Sequence, residues 1–177
     1  MKKIGIFYGS GTGTTGEIAE RIAEKLGLGS EHVYDISSVD LNVLTQYDLL
    51  ILGTSTWGSG DLQDDWDNAI GKVKKLDLSG KAVALFGLGD SGSFSDSFCS
   101  GMGILYRELQ GSGVTFYGWS DPEEYEFEDS ESVVDGKFVG LVLDETNEST
   151  LTNGRIDKWI DLLKKDCIEL GVKLNSK

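Results

Sequence analysis

A chain of 177 residues with 30 Asp and Glu against 16 Lys and Arg carries a formal charge of −14. That length suits one domain with a full core, residues 1–177, and a charge of this sign argues against electrostatic binding to nucleic acid or anionic lipid. With 39% hydrophobic and 10% aromatic residues the chain is too apolar for a disordered acidic segment. Its apolar runs, such as residues 49–53, are far too short to span a bilayer. Met1-Lys2-Lys3 leads into a short glycine-broken strand pattern with no apolar signal core behind it, so a cytoplasmic protein is expected. Cys99 and Cys167 have no metal or redox spacing and read as buried or idle thiols.

In chain order, β-rich runs fall at residues 3–8, 32–36, 48–53, 82–86, 114–119 and 138–143. Helical periodicity lies between them. Ile18, Ile22, Ala23 and Leu26 share one face, and Leu62, Trp66, Ile70 and Val73 another. Met102, Leu105 and Leu109 mark a third helix, and residues 41–46 a short one. Ile156, Trp159, Ile160, Leu163 and Cys167 mark a C-terminal helix, with Thr152 or Asn153 as its cap. Such alternation implies an α/β fold, a doubly wound parallel sheet with helices on both faces. The runs Leu49-Leu50-Ile51-Leu52 and Ala82-Val83-Ala84-Leu85-Phe86 are continuously apolar, as strands covered on both sides should be. Five principal strands favour the order 2-1-3-4-5 over the dinucleotide-binding order. Residues 121–135 hold eight acidic side chains and no basic one. They read as an insertion, about 120–137, in the last strand.

Ligands of an open parallel sheet bind beyond the carboxyl ends of its strands, where the winding reverses. Three unusual stretches fall there. The first is Gly9-Ser10-Gly11-Thr12-Gly13-Thr14-Thr15, between a strand and a helix. Its glycines let backbone N–H groups turn onto an anion, and Ser10, Thr12, Thr14 and Thr15 add hydroxyls at a helix N-terminus. This is phosphate chemistry. No Lys follows the last Gly, which excludes a nucleoside-triphosphate loop. Gly11–Gly16 fits G-x-G-x-x-G and Asp35 lies where a ribose-binding acid would, but the first glycine starts late and Asp35 reads more simply as a strand-end turn residue. The second stretch, Thr54-Ser55-Thr56-Trp57-Gly58-Ser59-Gly60, sets a Trp among small residues that cannot bury it. The third, Gly87-Leu88-Gly89-Asp90-Ser91-Gly92-Ser93-Phe94, carries a second loop aromatic. Two flat rings beside a phosphate loop suit a planar ligand ending in phosphate, flavin mononucleotide (FMN).

Here the chain resembles the flavodoxin family, in its long-chain form, over essentially everything up to the C-terminal helix. Ser10-Gly11-Thr12-Gly13-Thr14-Thr15 is similar to the family's phosphate loop, [ST]-x-T-G-x-T. Thr56-Trp57-Gly58-Ser59-Gly60 resembles the loop bearing the inner flavin-stacking aromatic. Leu88, Gly89 and Asp90, with Phe94 four residues beyond Asp90, resemble the loop that meets the pyrimidine edge and supplies the outer ring. Residues 120–137 resemble the insertion that splits the last strand, and Leu143-Asp144-Glu145 the acidic turn after it. Phe94 stands where the family usually has Tyr, and Ser97 where it often has Asn.

The resemblance implies a low-potential one-electron carrier working between the semiquinone and hydroquinone of non-covalently bound FMN, with no substrate, catalytic residue or metal of its own. It also implies a flip of the Gly58–Ser59 peptide on reduction, which glycine permits. No Lys or Arg occurs between Lys25 and Lys72, so the phosphate would be held by neutral donors. Asp61, Asp64, Asp65 and Asp67, with Asp90, Asp96 and the insertion, fall at the ligand edge, while Lys72, Lys74, Lys75, Arg21 and Lys25 fall at the far pole. A basic docking surface on a redox protein, such as a flavodoxin or ferredoxin reductase, fits that asymmetry, with this chain a monomer. The competing readings are an FMN-dependent NAD(P)H oxidoreductase, which needs bases for the nicotinamide phosphates, and a signalling receiver domain. The latter needs an acidic phosphoacceptor where Thr54-Ser55-Thr56-Trp57 stands. His32, at a strand start with no motif partner, reads as a surface or satisfied structural residue.

Overall fold

A computed structural model describes residues 3–169, with side chains through Asp166. The thiol of Cys167 therefore lies outside the described residues, as do Met1 and Lys2. Strands β1 (Ile4–Gly9), β2 (Val33–Asp35), β3 (Leu49–Trp57), β5 (Ala82–Leu88), β6 (Thr115–Tyr117) and β9 (Gly140–Leu143) build one sheet. A short β4 (Asp61–Leu62) returns antiparallel along the end of β3. The order is β2-β1-β3-β5-β6, with β9 also on β5, and every pairing among these except that of β4 is parallel. Counting β6 and β9 as one interrupted strand, this is the order 2-1-3-4-5.

The interruption is visible in the register. Ala84 of β5 pairs with Tyr117, and the next residue, Leu85, pairs with Gly140. Residues 118–139 leave the sheet between these two rungs and carry a small hairpin, β7 (Val133–Val134) with β8 (Lys137–Phe138). The excursion is anchored by aromatics: Phe127 lies 5.6 Å from Phe98 and 5.3 Å from Phe138, ring centroid to centroid.

Helices α1 (Thr14–Leu26), α2 (Asp64–Val73), α3 (Ser100–Leu109) and α4 (Thr152–Glu169) cover both faces. Leu50, Leu52, Val83 and Leu85 turn one way, into a core with Trp66, Ile70, Val73, Met102, Leu105 and Leu109 of α2 and α3. Leu49, Ile51, Ala84 and Phe86 turn the other way, onto Ile18, Ile22, Leu26, Ile156, Trp159 and Leu163 of α1 and α4. Side chains alternate along a strand, so burial on both faces demands an unbroken apolar run.

Three expectations change. The stretch from Thr54 to Trp57 is strand, not loop, because its backbone pairs with β5 through Ser55 and with β4 at Thr56 and Trp57. Leu62 belongs to β4 rather than to the following helix, whose cap is Gln63, accepting from the Asp65 and Trp66 amides. Neither Thr152 nor Asn153 caps α4: a 3-10 turn at Ser149–Leu151 leads into it, Thr152 is already helical, and its hydroxyl donates to Glu145. The short helix at Leu41–Gln46 is a 3-10 helix capped by Asp40.

Candidate functional site

The carboxyl ends of β1, β3, β5 and β9 converge on a cavity of ≈ 360 Å³. Three segments build most of its wall, each shaped by its own sequence.

Between β1 and α1, Gly13 at φ 92° turns the chain into the helix, and its amide donates to Ser10 Oγ at 2.9 Å. No side chain caps α1, so its first-turn amides keep their donors for a ligand, and the helix dipole there favours an anion. Thr12 and Thr14 set their hydroxyls 3.3 Å apart, and both line the cavity with the buried Thr15.

At the end of β3, Gly58 at φ 52°, Ser59 and Gly60 at φ 107° turn the chain into β4, with the Gly60 amide on the Trp57 carbonyl at 3.2 Å. Thr56 Oγ1 accepts from the Gly101 amide at 3.0 Å, which ties this hairpin to α3. Trp57 is 43% exposed, with Nε1 donating to Ser55 Oγ at 3.2 Å. Its ring lies against Gly11, where a Cβ would come within 2.3 Å of Cζ2.

After β5, the Gly89 amide donates to the Leu143 carbonyl at 3.1 Å, which holds this loop against the end of β9. Asp90 Oδ1 accepts from the Gly92 and Ser93 amides, both at 3.0 Å. These bonds, and above all one from Asn147, hold its carboxyl below the usual range. Phe94, 42% exposed, lines the cavity. Ser97 is only 8% exposed, and its Oγ has no hydrogen-bond partner.

Ten of the residues singled out from sequence thus meet on one cavity: Thr12, Thr14, Thr15, Thr56, Gly58, Leu88, Gly89, Asp90, Phe94 and Ser97. Ser10, Gly11, Gly13, Trp57, Ser59 and Gly60 stand behind or beside that wall and shape the turns. Ser55, Phe98, Cys99, Glu145 and Thr146 also line it; none was assigned to the ligand from sequence, although Ser55 falls in the second stretch and Glu145 in the acidic turn. Glu145 and Thr146 follow β9, so the strand-end rule that found the other loops could have found them. Cys99 carried no signal: it is buried in the left-handed region at φ 52°, and burial pushes its thiol well above the ordinary value.

Asp35 Oδ1 accepts from the Ser37 amide and hydroxyl, a turn at the end of β2. His32 Nδ1 lies 2.9 Å from the Tyr47 hydroxyl, a satisfied structural contact. Asp64, Asp65 and Asp67 occupy the first turn of α2, with Lys72 in its last. Among the described residues no group of acidic, His or Cys side chains could hold a metal, and no helix is long and apolar enough to cross a membrane.

The chain matches the family model described as Flavodoxin over residues 6–159. It is 42% identical over 170 residues to "Flavodoxin 1" of Azotobacter vinelandii, covering 94% of this chain and 98% of that one. It is 40% identical over 165 residues to a flavodoxin of Nostoc sp., covering 93% and 97%. Among solved structures, a Fusobacterium nucleatum flavodoxin bound to flavin mononucleotide superposes with a TM-score of 0.84 at 34% identity, covering 94% of this chain and 99% of that one. A family model spanning most of the chain and relatives this close over nearly their full length place the chain in the flavodoxin family.

Proposed function

We propose that this chain, as one FMN-binding domain, carries electrons singly at low potential between redox partners through FMN held non-covalently in the β1–β3–β5–β9 cavity. Flavodoxins are electron-transfer proteins, not enzymes with a substrate of their own. The observation that carries the cofactor reading is the donor set: a cleft of hydroxyls and uncapped helix amides, with the buried, unpartnered Ser97 hydroxyl on its wall. A buried polar group without a partner is costly, and a ligand edge that bonds it removes the cost.

In this reading Ser10, Thr12, Thr14 and Thr15, with the glycines between them, take the phosphate. Trp57 and Phe94 flank the ring system. Thr56, Gly58, Ser59 and Gly60 border its inner edge, and Leu88, Gly89, Asp90 and Ser97 its polar edge. FMN supplies the redox chemistry when bound. The protein's own contribution is electrostatic. The cavity wall includes no Lys or Arg but does include Asp90 and Glu145, so added negative charge on the ring is disfavoured and the second reduction moves to low potential. Gly58, already in the left-handed region, is the residue able to turn its peptide on reduction. The same lack of basic side chains argues against a nicotinamide-dependent oxidoreductase on this fold. The finer proposals are a monomeric cytoplasmic protein and docking on basic surfaces such as that of a flavodoxin or ferredoxin reductase; the charge of −14 supports the docking.

The test is a reductive titration of the purified chain followed by visible spectroscopy. Two resolved one-electron steps from a yellow, FMN-loaded protein are expected. A colourless chain that FMN cannot reconstitute, or rapid bleaching by NADPH alone, overturns the reading.

A further inference from the structure

Asn147, on the turn after β9, faces two carboxylates at once. Its Nδ2 lies 2.8 Å from Asp90 Oδ1 and 3.1 Å from each oxygen of Asp144. An amide nitrogen carries two hydrogens, one for each acid, whereas the amide oxygen in that position would face both without a donor. The two acids have different surroundings. Asp144 is fully buried and accepts from the Ser91 amide at 3.1 Å, the Ser91 hydroxyl at 2.5 Å and the Asn147 amide at 3.0 Å. Asp90 lies on the cavity, and its carbonyl accepts from the Phe94 amide at 2.9 Å.

A continuous line of bonds therefore runs from the end of β9, through Asp144 and Asn147, to Asp90 and the Phe94 backbone. Gly92 packs in the same place: a Cβ there would lie 2.8 Å from Asn147 Oδ1. No ion pair among the described residues reaches either acid. Their facing oxygens are no further apart than the two bonds to Nδ2 allow, and like charges that close repel unless a donor sits between them.

We propose that Asn147 is a positioning residue for the cofactor site: its amide joins Asp90 to buried Asp144 and so fixes the loop that carries Phe94 over the cavity. The inference rests on the reading that this cavity takes FMN.

The test compares the wild-type chain with Asn147→Ala, which removes the link, and Asn147→Asp, which keeps the shape but replaces the donor by a third carboxylate. FMN affinity is read from flavin fluorescence quenching on titration of the FMN-stripped chain. Ring placement is read from the visible circular dichroism of bound flavin, and loop order from hydrogen exchange at the Ser91–Phe94 amides. Asn147→Ala is expected to weaken FMN about tenfold and speed exchange at those amides, with Asn147→Asp weaker still, about a hundredfold. Both should change the flavin dichroism. Wild-type affinity, dichroism and exchange in both variants overturn the proposal, as does a lowered melting temperature with those three unchanged. Should Asn147→Ala fail to fold, Asn147→Asp decides on the same readouts. Should the wild-type chain bind no FMN, the cofactor reading fails by itself. Exchange at Ser91–Phe94 then still decides the link: faster exchange in the variants supports it and unchanged exchange overturns it.

Discussion

The Trp57 ring rests directly on Gly11, so the hairpin that ends β3 and the turn that ends β1 touch at a point with no room for a side chain. A Cβ at residue 11 would fall 2.3 Å from Trp57 Cζ2, well inside contact distance. Gly11→Ala must therefore push the ring outward. Because Trp57 is 43% exposed, the ring can move, and the ligand-free fold should lose less than about 1 kcal/mol. If Trp57 flanks the cofactor as proposed, FMN affinity is expected to fall by about tenfold or more in fluorescence titration. Unchanged affinity would show that Trp57 does not contact the cofactor.

Ser97 yields a prediction with opposite signs in two states. Its Oγ is buried with no partner, a state that costs about 1–3 kcal/mol. Ser97→Ala should raise the stability of the FMN-free chain by about 1 kcal/mol in urea unfolding and weaken FMN binding by about tenfold. If both quantities fall together, the hydroxyl has a partner in the free chain.

Much of this was legible from the residues. The runs 49–52 and 82–86 are apolar throughout because helices cover both faces, and that pattern reports the fold directly. The Ser-Gly-Thr turn was legible because strand, turn and helix adjoin in sequence. The part that was hidden depends on residues far apart in the chain. Trp57 reads as loop because small residues surround it, yet Asp61 pairs with it as a strand partner. Asp144 reads as part of an acidic turn after a strand, and its bonds to Ser91 and Asn147 explain its burial. Thr152 reads as a cap until a 3-10 turn takes over the approach to α4.

Tyr125 tests how the acidic excursion is held. Its hydroxyl donates to the Val142 carbonyl at 2.7 Å, and the Arg155 guanidinium carbon lies 4.1 Å from its ring centre. Tyr125→Phe keeps the ring contacts and strands that carbonyl, so it should cost about 1–2 kcal/mol. Thermal unfolding should then shift down by about 2–8 °C. A loss within error would mean water replaces the hydroxyl.

Acid should loosen the Asp90 loop through one group. The bond from Asn147, followed by those of Ser93 and Gly92, holds the Asp90 carboxyl below the usual range. A depressed carboxyl stabilises the folded loop fully above its unfolded value, about 3.9, and that contribution is lost as pH falls through the lower folded value. Exchange at the Gly92 and Ser93 amides, corrected for intrinsic rates, should therefore stay slow to about pH 4 and accelerate below it. Asp90→Asn should flatten that profile. An identical acid limb in the variant would assign it to another group.

Salt tests the proposed docking surface. Acids fill the first turn of α2, and Lys72 and Lys25 stand in the last turns of α2 and α1, an arrangement that would turn a negative end toward the proposed docking edge. Electron transfer from a basic reductase should slow several-fold between low salt and about 0.15 M, where the screening length shortens to about 8 Å. A rate indifferent to salt would mean that docking there is apolar.

The paired rungs Ala84–Tyr117 and Leu85–Gly140 show that the parallel ladder continues across the excursion as if residues 118–139 were absent. The sheet's hydrogen bonding would survive their removal. The core would not, because Phe98 has Tyr125 and Phe127 as ring neighbours, and Phe138 and Val139 are fully buried. Trimming this chain to a continuous fifth strand would require rebuilding the part of that face around Phe98, so the acidic segment is dispensable to the topology and indispensable to this part of the interior.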